Sequence, residues 1–372
     1  MNLALYRKYR PQTFSEVLGQ EHVIKTLTTA IAKERISHAY LFSGPRGSGK
    51  TTVARLFAKA INCLERKKGE FEPCNKCLAC REIIEGRSLD LIEIDAASHR
   101  GIDEIKELKE GVKFFPTRLK YKVFIFDEAH QLSKDAANAL LKTLEEPPER
   151  VIFILATTEI HKMIPTILSR CQRFDFRKLS FFDILKKLQF ICQKEKVNLD
   201  KKILELIALS CGGALRDAES ILEKVITFAS TLEKEIELED VKELLGFVET
   251  ESLIKFVDFL LEKNPVSAIN FLNEIGEKGI DFQQFTKSLI NYLRQILIFK
   301  IVEGKESFAN PLFSTLTKEQ MKKLSLQAKN VSQAELSRII NLFLDAQNKM
   351  RYSPIAQLPL ELAIVEICYK KS

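Results

Sequence analysis

The segment Leu41–Thr52, which reads L-F-S-G-P-R-G-S-G-K-T-T, carries residue types that could bind a nucleotide. The apolar run Tyr40–Phe42 indicates a short buried strand, and Thr51–Ala60 is rich in helix formers. A glycine-rich turn between a strand and a helix lets backbone N–H groups surround phosphate oxygens, and the helix N-terminus adds partial positive charge. We therefore predict a nucleoside triphosphate site here, the alternative being a plain turn before a core helix.

Three kinds of group in this segment would share the binding of a triphosphate. The N–H groups of the turn would hold phosphate oxygens, Lys50 would neutralise the outer phosphates, and the Thr51 hydroxyl would hold magnesium. The predicted nucleotide-binding residues of the segment are Gly44, Pro45, Arg46, Gly47, Ser48, Gly49, Lys50, Thr51 and Thr52.

An acidic pair follows another apolar run, Val123–Phe126, which we predict to be a buried strand. Asp127 would hold magnesium, directly or through water, and Glu128 would orient and deprotonate an attacking water. An acidic pair after a strand is weak evidence by itself. Together with Lys50 and Thr51 it predicts hydrolysis of ATP.

The mostly apolar run Leu91–Ile94 predicts a short strand that ends in Asp95. The apolar run Val151–Ala156 predicts a further strand, which ends in Thr157 and Thr158. Ligands of open parallel sheets bind at the carboxyl ends of the strands. We therefore expect these hydroxyl groups to lie beside the phosphates.

Four cysteines, Cys63, Cys74, Cys77 and Cys80, are spaced C-x10-C-x2-C-x2-C. Close C-x2-C spacing lets thiolates converge on one tetrahedral ion, so we predict a zinc site within a module at about 63–80, here named the cysteine module. All four coordination positions would be filled by protein, which indicates a structural role. An iron–sulfur cluster remains an alternative because thiolates alone do not select the metal, and free thiols are another.

The alternation of strands and helices predicts a parallel three-layer α/β domain over residues 1–178. From 179 to 243 the pattern is wholly helical and predicts a small second domain. Residues 244–372 remain helical and include one long, broadly apolar helix from Phe282 to Phe299. A chain of 372 residues is long enough for two or three such domains.

A basic and aromatic arm, Leu5–Gln20, precedes the α/β pattern. Such an arm could pack beside a purine ring or be a tethered surface segment. We predict that Arg10 and Val17 contact the nucleotide.

Composition limits the compartment and the partners. No apolar run approaches the roughly eighteen residues of a membrane span, and the first ten residues do not resemble a signal peptide. Eight cysteines in such a chain favour a reducing compartment, so we expect a cytoplasmic protein without membrane contact. The net charge of +7 indicates a mild preference for an anionic partner.

Taken in order, several motifs resemble the gamma/tau family of bacterial DNA polymerase III, whose members are AAA+ ATPases of the replicative clamp loader. These motifs are G-P-R-G-S-G-K-T, the four cysteines, L-I-E-I-D-A-A-S, D-E-A-H, L-L-K-T-L-E-E-P-P, A-T-T, S-R-C and G-G-A-L-R-D-A. They cover Leu3–Ala229, and beyond Ala229 the resemblance rests on helical pattern and length. It implies a P-loop AAA+ domain, a helical lid and a helical collar that joins subunits.

The resemblance also implies roles for residues that physical reasoning leaves open. Thr158 corresponds to the sensor on the fourth strand, and Arg216 to the lid arginine that touches the nucleotide. Arg170 corresponds to the arginine finger supplied in trans to a neighbouring subunit. Pro165 predicts a helix start and places Arg170 on that helix.

The resemblance implies an ATPase motor subunit that loads the sliding clamp onto primed DNA for DNA polymerase III. Implied partners are the delta and delta-prime subunits, other copies of the chain, the beta sliding clamp and the polymerase core, the last through a tail beyond this chain. A nucleoid-associated location follows. By the same resemblance, Lys106, Lys134, Lys142 and Thr166 fall on the family's phosphate-contacting helices and are expected to contact the DNA backbone, whereas 98–101 is less basic than the family pattern.

Three other interpretations compete with this one. A helicase with a D-E-A-H motif would carry a second strand-containing domain after residue 180, where this chain is helical. A scaffold that binds nucleotide without hydrolysis would lack Lys50, Glu128 or Arg170, and all three are present. A zinc-dependent DNA-binding factor would concentrate its basic residues around the cysteines, where the chain has few.

Overall fold

The computed structural model describes residues 3–98, 115–231, 236–246, 249–302, 313 and 316–369. The chain divides into two units, Met1–Ile236 and Glu237–Ser372. The predicted boundary at 178/179 lies within the first unit, and the one at 243/244 lies within the second. Both stay predictions.

In the described part of the first unit, five strands form one parallel sheet in the order β2-β3-β4-β1-β5. The strands are β1 (Ala39–Ser43), β2 (Leu91–Asp95), β3 (Lys122–Asp127), β4 (Val151–Thr157) and β5 (Gln172–Asp175). Every residue of β1 and β4 is buried, as expected for central strands of a sheet that is covered on both faces.

The four strands predicted from apolar runs are present, each one or two residues longer than its run. The edge strand β5 was not predicted. In the sequence Q-R-F-D only Phe174 is buried, so no apolar run marks this strand. It forms because β1 pairs with it, Phe42 lying opposite Phe174.

Some of the helices described in the first unit pack on the two faces of the sheet, and three further helices follow the last strand in the chain. They are α1 (Leu5–Lys8), α2 (Glu21–Ala32), α3 (Lys50–Ile61), α4 (Leu78–Ile84), α5 (Lys134–Glu145), α6 (Pro165–Leu168), α7 (Phe181–Glu195), α8 (Lys201–Ser210) and α9 (Leu215–Ala229). The helices α2 and α3 form one apolar core with the sheet, and α5 and α6 form another on the opposite face. The predicted three layers are therefore present.

The second unit is helical throughout its described residues. Its helices are α10 (Leu238–Leu244), α11 (Thr250–Leu261), α12 (Pro265–Glu277), α13 (Phe282–Ile301), α14 (Lys318–Asn330), α15 (Gln333–Met350) and α16 (Leu358–Tyr369). The predicted long helix is α13, and Phe285, Leu289 and Ile296 on it are fully buried in a core shared with the other helices. Among the residues that the structure describes, no helix combines the length and apolar character that a bilayer span requires.

Asp90 anchors the start of β2 through its carboxylate. Its two oxygens accept hydrogen bonds from the N–H groups of Thr117 (2.8 Å), Arg118 (2.8 Å) and Leu119 (2.9 Å). Burial by itself raises the pKa of Asp90, but these three donors and the charge of Lys122 outweigh it and lower the pKa below the ordinary value.

We expect Asp90→Asn to lower the free energy of unfolding by about 1–3 kcal/mol at pH 7, because the amide replaces one acceptor oxygen by a donor. The contribution of the Asp90 charge is fully present above the ordinary carboxyl pKa of about 3.9 and is lost as the pH falls through the lower folded-state pKa. Urea unfolding at pH 7 and pH 3 measures both effects. Asp345→Asn, at an exposed position on α15, is the charge-matched control, and an equal loss in both variants would contradict the prediction.

Candidate functional site

The turn between β1 and α3 has the backbone that a phosphate loop requires. The Gly44 N–H donates to the carbonyl of Thr157, 3.1 Å away, which ties the turn to the end of β4. Gly47 and Gly49 have φ of 75° and 98°, in the left-handed region that favours glycine. A Cβ on Gly47 would lie 2.9 Å from the Cβ of Ala214, so the chain before α9 approaches the turn closely.

Lys50 begins α3 and is buried, with its ammonium directed back at the turn. Its Nζ donates to the carbonyls of Gly44, at 2.8 Å, and Pro45, at 3.0 Å. Burial lowers the pKa of Lys50, whereas the carboxylates of Glu128 and Asp127 act in the opposite direction. This lysine is therefore held at the turn, with both members of the acidic pair close enough to influence it.

Thr51 and Asp127 meet at the position expected of a magnesium site. The Thr51 hydroxyl donates to Oδ2 of Asp127 at 2.9 Å, and Oδ1 of the same carboxylate accepts from the N–H of Glu128 at 3.0 Å. A hydroxyl and a carboxylate are hard oxygen ligands, the kind that Mg²⁺ prefers. The pair therefore fits the predicted metal.

Glu128 is held beside β4 by the predicted sensor threonine. Its Oε2 accepts from the Thr158 hydroxyl at 2.8 Å and from the Thr158 N–H at 3.3 Å. The φ of Glu128 is 48°, a left-handed conformation that costs a non-glycine residue about 1–2 kcal/mol. The strained backbone and the threonine together aim this carboxylate at the edge of the sheet where β1 and β4 end.

Two residues of this region were not singled out from the sequence. Gln20 is fully buried, and its amide nitrogen donates to the carbonyls of Ser48 (3.3 Å) and Arg177 (2.7 Å). His130 is nearly buried, with Nδ1 3.0 Å from the Thr157 hydroxyl and 3.5 Å from Oε2 of Glu128. Both side chains are drawn to attention by their burial and by their contacts in the folded chain. The sequence does not reveal either.

The four cysteines lie together at the end of α3. Their Sγ atoms all lie within 4.8 Å of one another, and those of Cys74 and Cys80 are 3.9 Å apart. Four thiolates around one zinc at 2.3 Å would be about 3.8 Å apart. The N–H groups of Lys76 and Cys77 also point at Sγ of Cys74, at 3.4 and 3.3 Å. The donor set therefore fits a tetrahedral metal.

Comparison with known proteins covers nearly the whole chain. Family models match at residues 19–180 (DNA polymerase III, delta subunit), 183–231 (DNA polymerase III clamp loader subunit, ATPase lid domain) and 236–372 (DNA polymerase III subunits gamma and tau domain III). The chain is 42% identical to the tau subunit of Bacillus subtilis DNA polymerase III over 98% of its length, and 33% identical to the gamma subunit of Buchnera aphidicola over 98% of both chains.

The chain belongs to the DNA polymerase III gamma/tau family. It spans 63% of the length of the Bacillus subtilis tau subunit and 54% of that of Escherichia coli, to which it is 35% identical. The parallel sheet with its phosphate loop, the lid region and the helical C-terminal region agree with the AAA+ architecture expected of this family.

The predicted lid arginine of this gamma/tau family member lies near the phosphate loop. Arg216 stands in the first turn of α9, two residues after the Ala214 that abuts Gly47. Its guanidinium lies over the ring of Tyr6, 4.7 Å from the centroid. Hydrogen bonds from Arg7 and Arg216 lower the pKa of Tyr6.

The arm residues Arg10 and Val17 are partly buried. Val17 packs against the core that α2 and α3 form with the sheet, and the carbonyl of Arg10 accepts from the side chain of Gln12 at 3.2 Å. The arm is therefore packed on the protein at these positions, but a contact with a base stays a prediction.

Arg170 lies two residues past the end of α6, so placing it on that helix was wrong. Helix α6 ends after one turn, where the Ser169 hydroxyl and the Arg170 guanidinium donate to the carbonyl of Thr166, which a continuing α-helix would pair with the N–H of Arg170. Among the described residues, the side chain of Arg170 bonds to the carbonyl of Thr166 (2.8 Å), the hydroxyl of Ser169 (3.2 Å) and the carboxylate of Glu145 (2.5 Å). It is one-third exposed, and these bonds do not include the residues around Lys50.

The residues predicted to contact DNA are exposed where the structure describes them. Lys134 and Lys142 lie on α5, and Thr166 lies on α6. Lys106 lies outside the described residues, as does most of 98–101.

Proposed function

We propose that this chain is the ATPase motor subunit of a bacterial replicative clamp loader, which uses ATP binding and hydrolysis to load the sliding clamp onto primed DNA for DNA polymerase III. The observation that carries the proposal is the convergence of Lys50, Thr51, Asp127, Glu128 and Thr158 at one edge of the sheet, in a member of the gamma/tau family.

Each of these residues has one task in hydrolysis. The N–H groups of the turn and Lys50 bind the phosphates, and Glu128 takes a proton from the attacking water. Thr158 keeps the Glu128 carboxylate in place by the bonds described above. Magnesium held at Thr51 and Asp127 would neutralise charge on the outer phosphates.

ATP would act as a conformational ligand as well as a substrate. The contact between Gly47 and Ala214 brings the chain before α9 close to the phosphate loop, so a triphosphate bound there can meet Arg216. ATP would then stabilise the lid position that suits assembly on DNA, and hydrolysis would remove that stabilisation. Recognition of the DNA backbone through Lys134, Lys142 and Thr166 would be weakly sequence-selective and salt-dependent.

The remaining predictions complete this proposal. The partners are delta and delta-prime subunits, further copies of this chain, the beta sliding clamp, the primed-template backbone and the polymerase core. The protein acts in the bacterial cytoplasm at the nucleoid. The ATPase domain covers 1–178, the lid 179–243 and the collar 244–372. The cysteine module holds zinc in a structural role, supported by the spacing of its four Sγ atoms.

Lys50→Ala and Glu128→Gln separate binding from chemistry. Lys50→Ala should abolish ATP binding, because it removes the charge at the phosphate turn. Glu128→Gln keeps the shape but cannot accept a proton, so we expect ATP binding within about twofold of the unaltered protein and a kcat about 10²–10⁴-fold lower. Titration with a fluorescent ATP analogue and a turnover assay with primed DNA and clamp measure the two effects. If Glu128→Gln failed to bind ATP, its assignment as the general base would be refuted.

A mixing experiment tests whether Arg170 acts in trans. Arg170→Ala retains a complete phosphate site and Lys50→Ala retains a complete finger, so mixed assemblies should regain ATPase activity that neither variant shows alone. Fingers of this type contribute about 10³–10⁵-fold to turnover. Activity should fall on dilution as the assemblies dissociate.

Glu145→Gln is the companion variant for Arg170, since it removes the carboxylate that Arg170 contacts within its own chain. Glu145→Gln should leave turnover unchanged if the ion pair only holds Arg170 in place while no neighbouring subunit is bound. Absence of recovery in assemblies shown to contain both mutant chains would argue against a finger in trans.

The zinc proposal predicts about one zinc per chain by elemental analysis, retained after mild chelation. Cys77→Ser should lose the metal and lower the thermal stability of the protein, because one of four ligands is removed. Cys211→Ser, at a cysteine outside the cluster, is the matched control. Iron with a visible absorption band, or four titratable thiols in the folded protein, would contradict zinc.

A further inference from the structure

The arm touches the predicted nucleotide site near both of its ends. Near its start, the ring of Tyr6 lies under the guanidinium of Arg216. At its end, the buried side chain of Gln20 donates to the carbonyl of Ser48 in the phosphate loop. A shift of the arm would therefore disturb both the lid arginine and the phosphate loop.

The first half of the arm is attached to the lid helix α7. The Tyr9 hydroxyl donates to the carboxylate of Glu195 at 2.5 Å, and Lys8 pairs with the same carboxylate at 2.7 Å. Lys187 donates to the carbonyl of Tyr9 at 2.9 Å. These contacts hold the arm on the lid but not on the sheet.

The second half of the arm is attached to the cysteine module and to α3. Glu72 in the module accepts two successive backbone N–H groups of the arm, from Phe14 at 2.9 Å and from Ser15 at 3.0 Å. A carboxylate that accepts two N–H groups is a strong, charge-assisted anchor. Lys59 near the end of α3 adds two bonds to Gln12, each of 2.9 Å.

The position of Glu72 depends on the cysteines. Glu72 directly precedes the buried Pro73, which restricts the residue before it to an extended backbone, and Pro73 directly precedes Cys74. Cys74 is in turn fixed within the four-sulfur cluster. Opening the cluster would therefore move Glu72 away from Phe14 and Ser15.

We propose that the cysteine module sets the affinity of the nucleotide site by holding the arm in place, with Glu72 as the positioning residue. The inference rests on the proposed function, since it takes ATP as the ligand of the phosphate loop. When Glu72 holds Phe14 and Ser15, the arm keeps Tyr6 under Arg216 and Gln20 on Ser48. When it does not, the binding-competent arrangement is populated less often, and the apparent dissociation constant rises in proportion.

The test is Glu72→Gln in the full chain, because glutamine keeps the size of the side chain but presents a donor to one of the two N–H groups. We expect the Kd for a fluorescent ATP analogue and the KM for ATP to rise about tenfold, with kcat within about twofold. Zinc content should stay unchanged. Tryptic cleavage after Arg7 and Lys8 should become faster and should slow again at saturating nucleotide.

Glu70→Gln, the same substitution at an exposed position of the same module, is the matched control and should behave as the unaltered protein. Removing the metal from the unaltered protein should raise the Kd by a factor similar to that of Glu72→Gln, and removing it from Glu72→Gln should add less than about twofold. If Glu72→Gln does not fold, Glu72→Asp makes the same test, because it keeps the charge and shortens the reach.

The outcomes separate this inference from the proposed function. Unaltered Kd and cleavage rates in Glu72→Gln would overturn the inference alone, as would equal losses in Glu72→Gln and Glu70→Gln. A kcat that fell as much as the affinity would also overturn it, because positioning of the arm acts on binding. If the unaltered chain bound no ATP, or bound it as well with Lys50→Ala, the proposed function itself would fail.

Discussion

The parallel pairing of β3, β4 and β1 is the constraint on which the predicted site depends. Ser43 lies opposite Thr157, and Phe126 lies opposite Leu155, so the three strands end at almost the same level. The phosphate turn, the acidic pair and the sensor threonine lie at these strand ends or directly after them, and the common level of the ends brings them together. The bond from the Gly44 N–H to the Thr157 carbonyl extends the pairing into the turn itself. A slip of one residue in this register would move Asp127 away from Thr51.

Charge balance gives the same region its chemistry. Burial disfavours the charged form of Lys50, and the carboxylates of Asp127 and Glu128 oppose that effect. Both carboxylates are held by hydrogen bonds, from Thr51 and from Thr158. Side chains that are already held in place need to move little when negative charge develops on the phosphates in the transition state. Preorganisation of this kind lowers the activation free energy of hydrolysis.

The arm joins parts of the first unit that are far apart in the sequence. It contacts the lid through Tyr9, α3 through Gln12 and the cysteine module through Phe14. The cysteine module has only a small apolar core, which Cys77, Ala79 and Cys80 form together with Ile83 and Leu119 from outside the module. A module of this size needs a metal or similar crosslink to be rigid, and a rigid module is what a distant anchor such as Glu72 requires.

The sequence alone determined the features that rest on local spacing: the phosphate turn, the acidic pair, the cysteine cluster and four of the strands. Each depends on residue types that recur at short, regular or characteristic intervals within one segment of the chain, so residue type and interval were sufficient evidence. The tertiary structure decided the rest. The bonds of Gln20 to Arg177, of Glu72 to Phe14 and of Arg170 to Glu145 each join residues that are remote in the chain. In the first two bonds one partner is a backbone group, which every residue carries, so no residue type could have indicated the contact. The edge strand β5 was not predicted for a related reason. Its backbone pairing with β1 makes it a strand, and its own side chains form no apolar pattern.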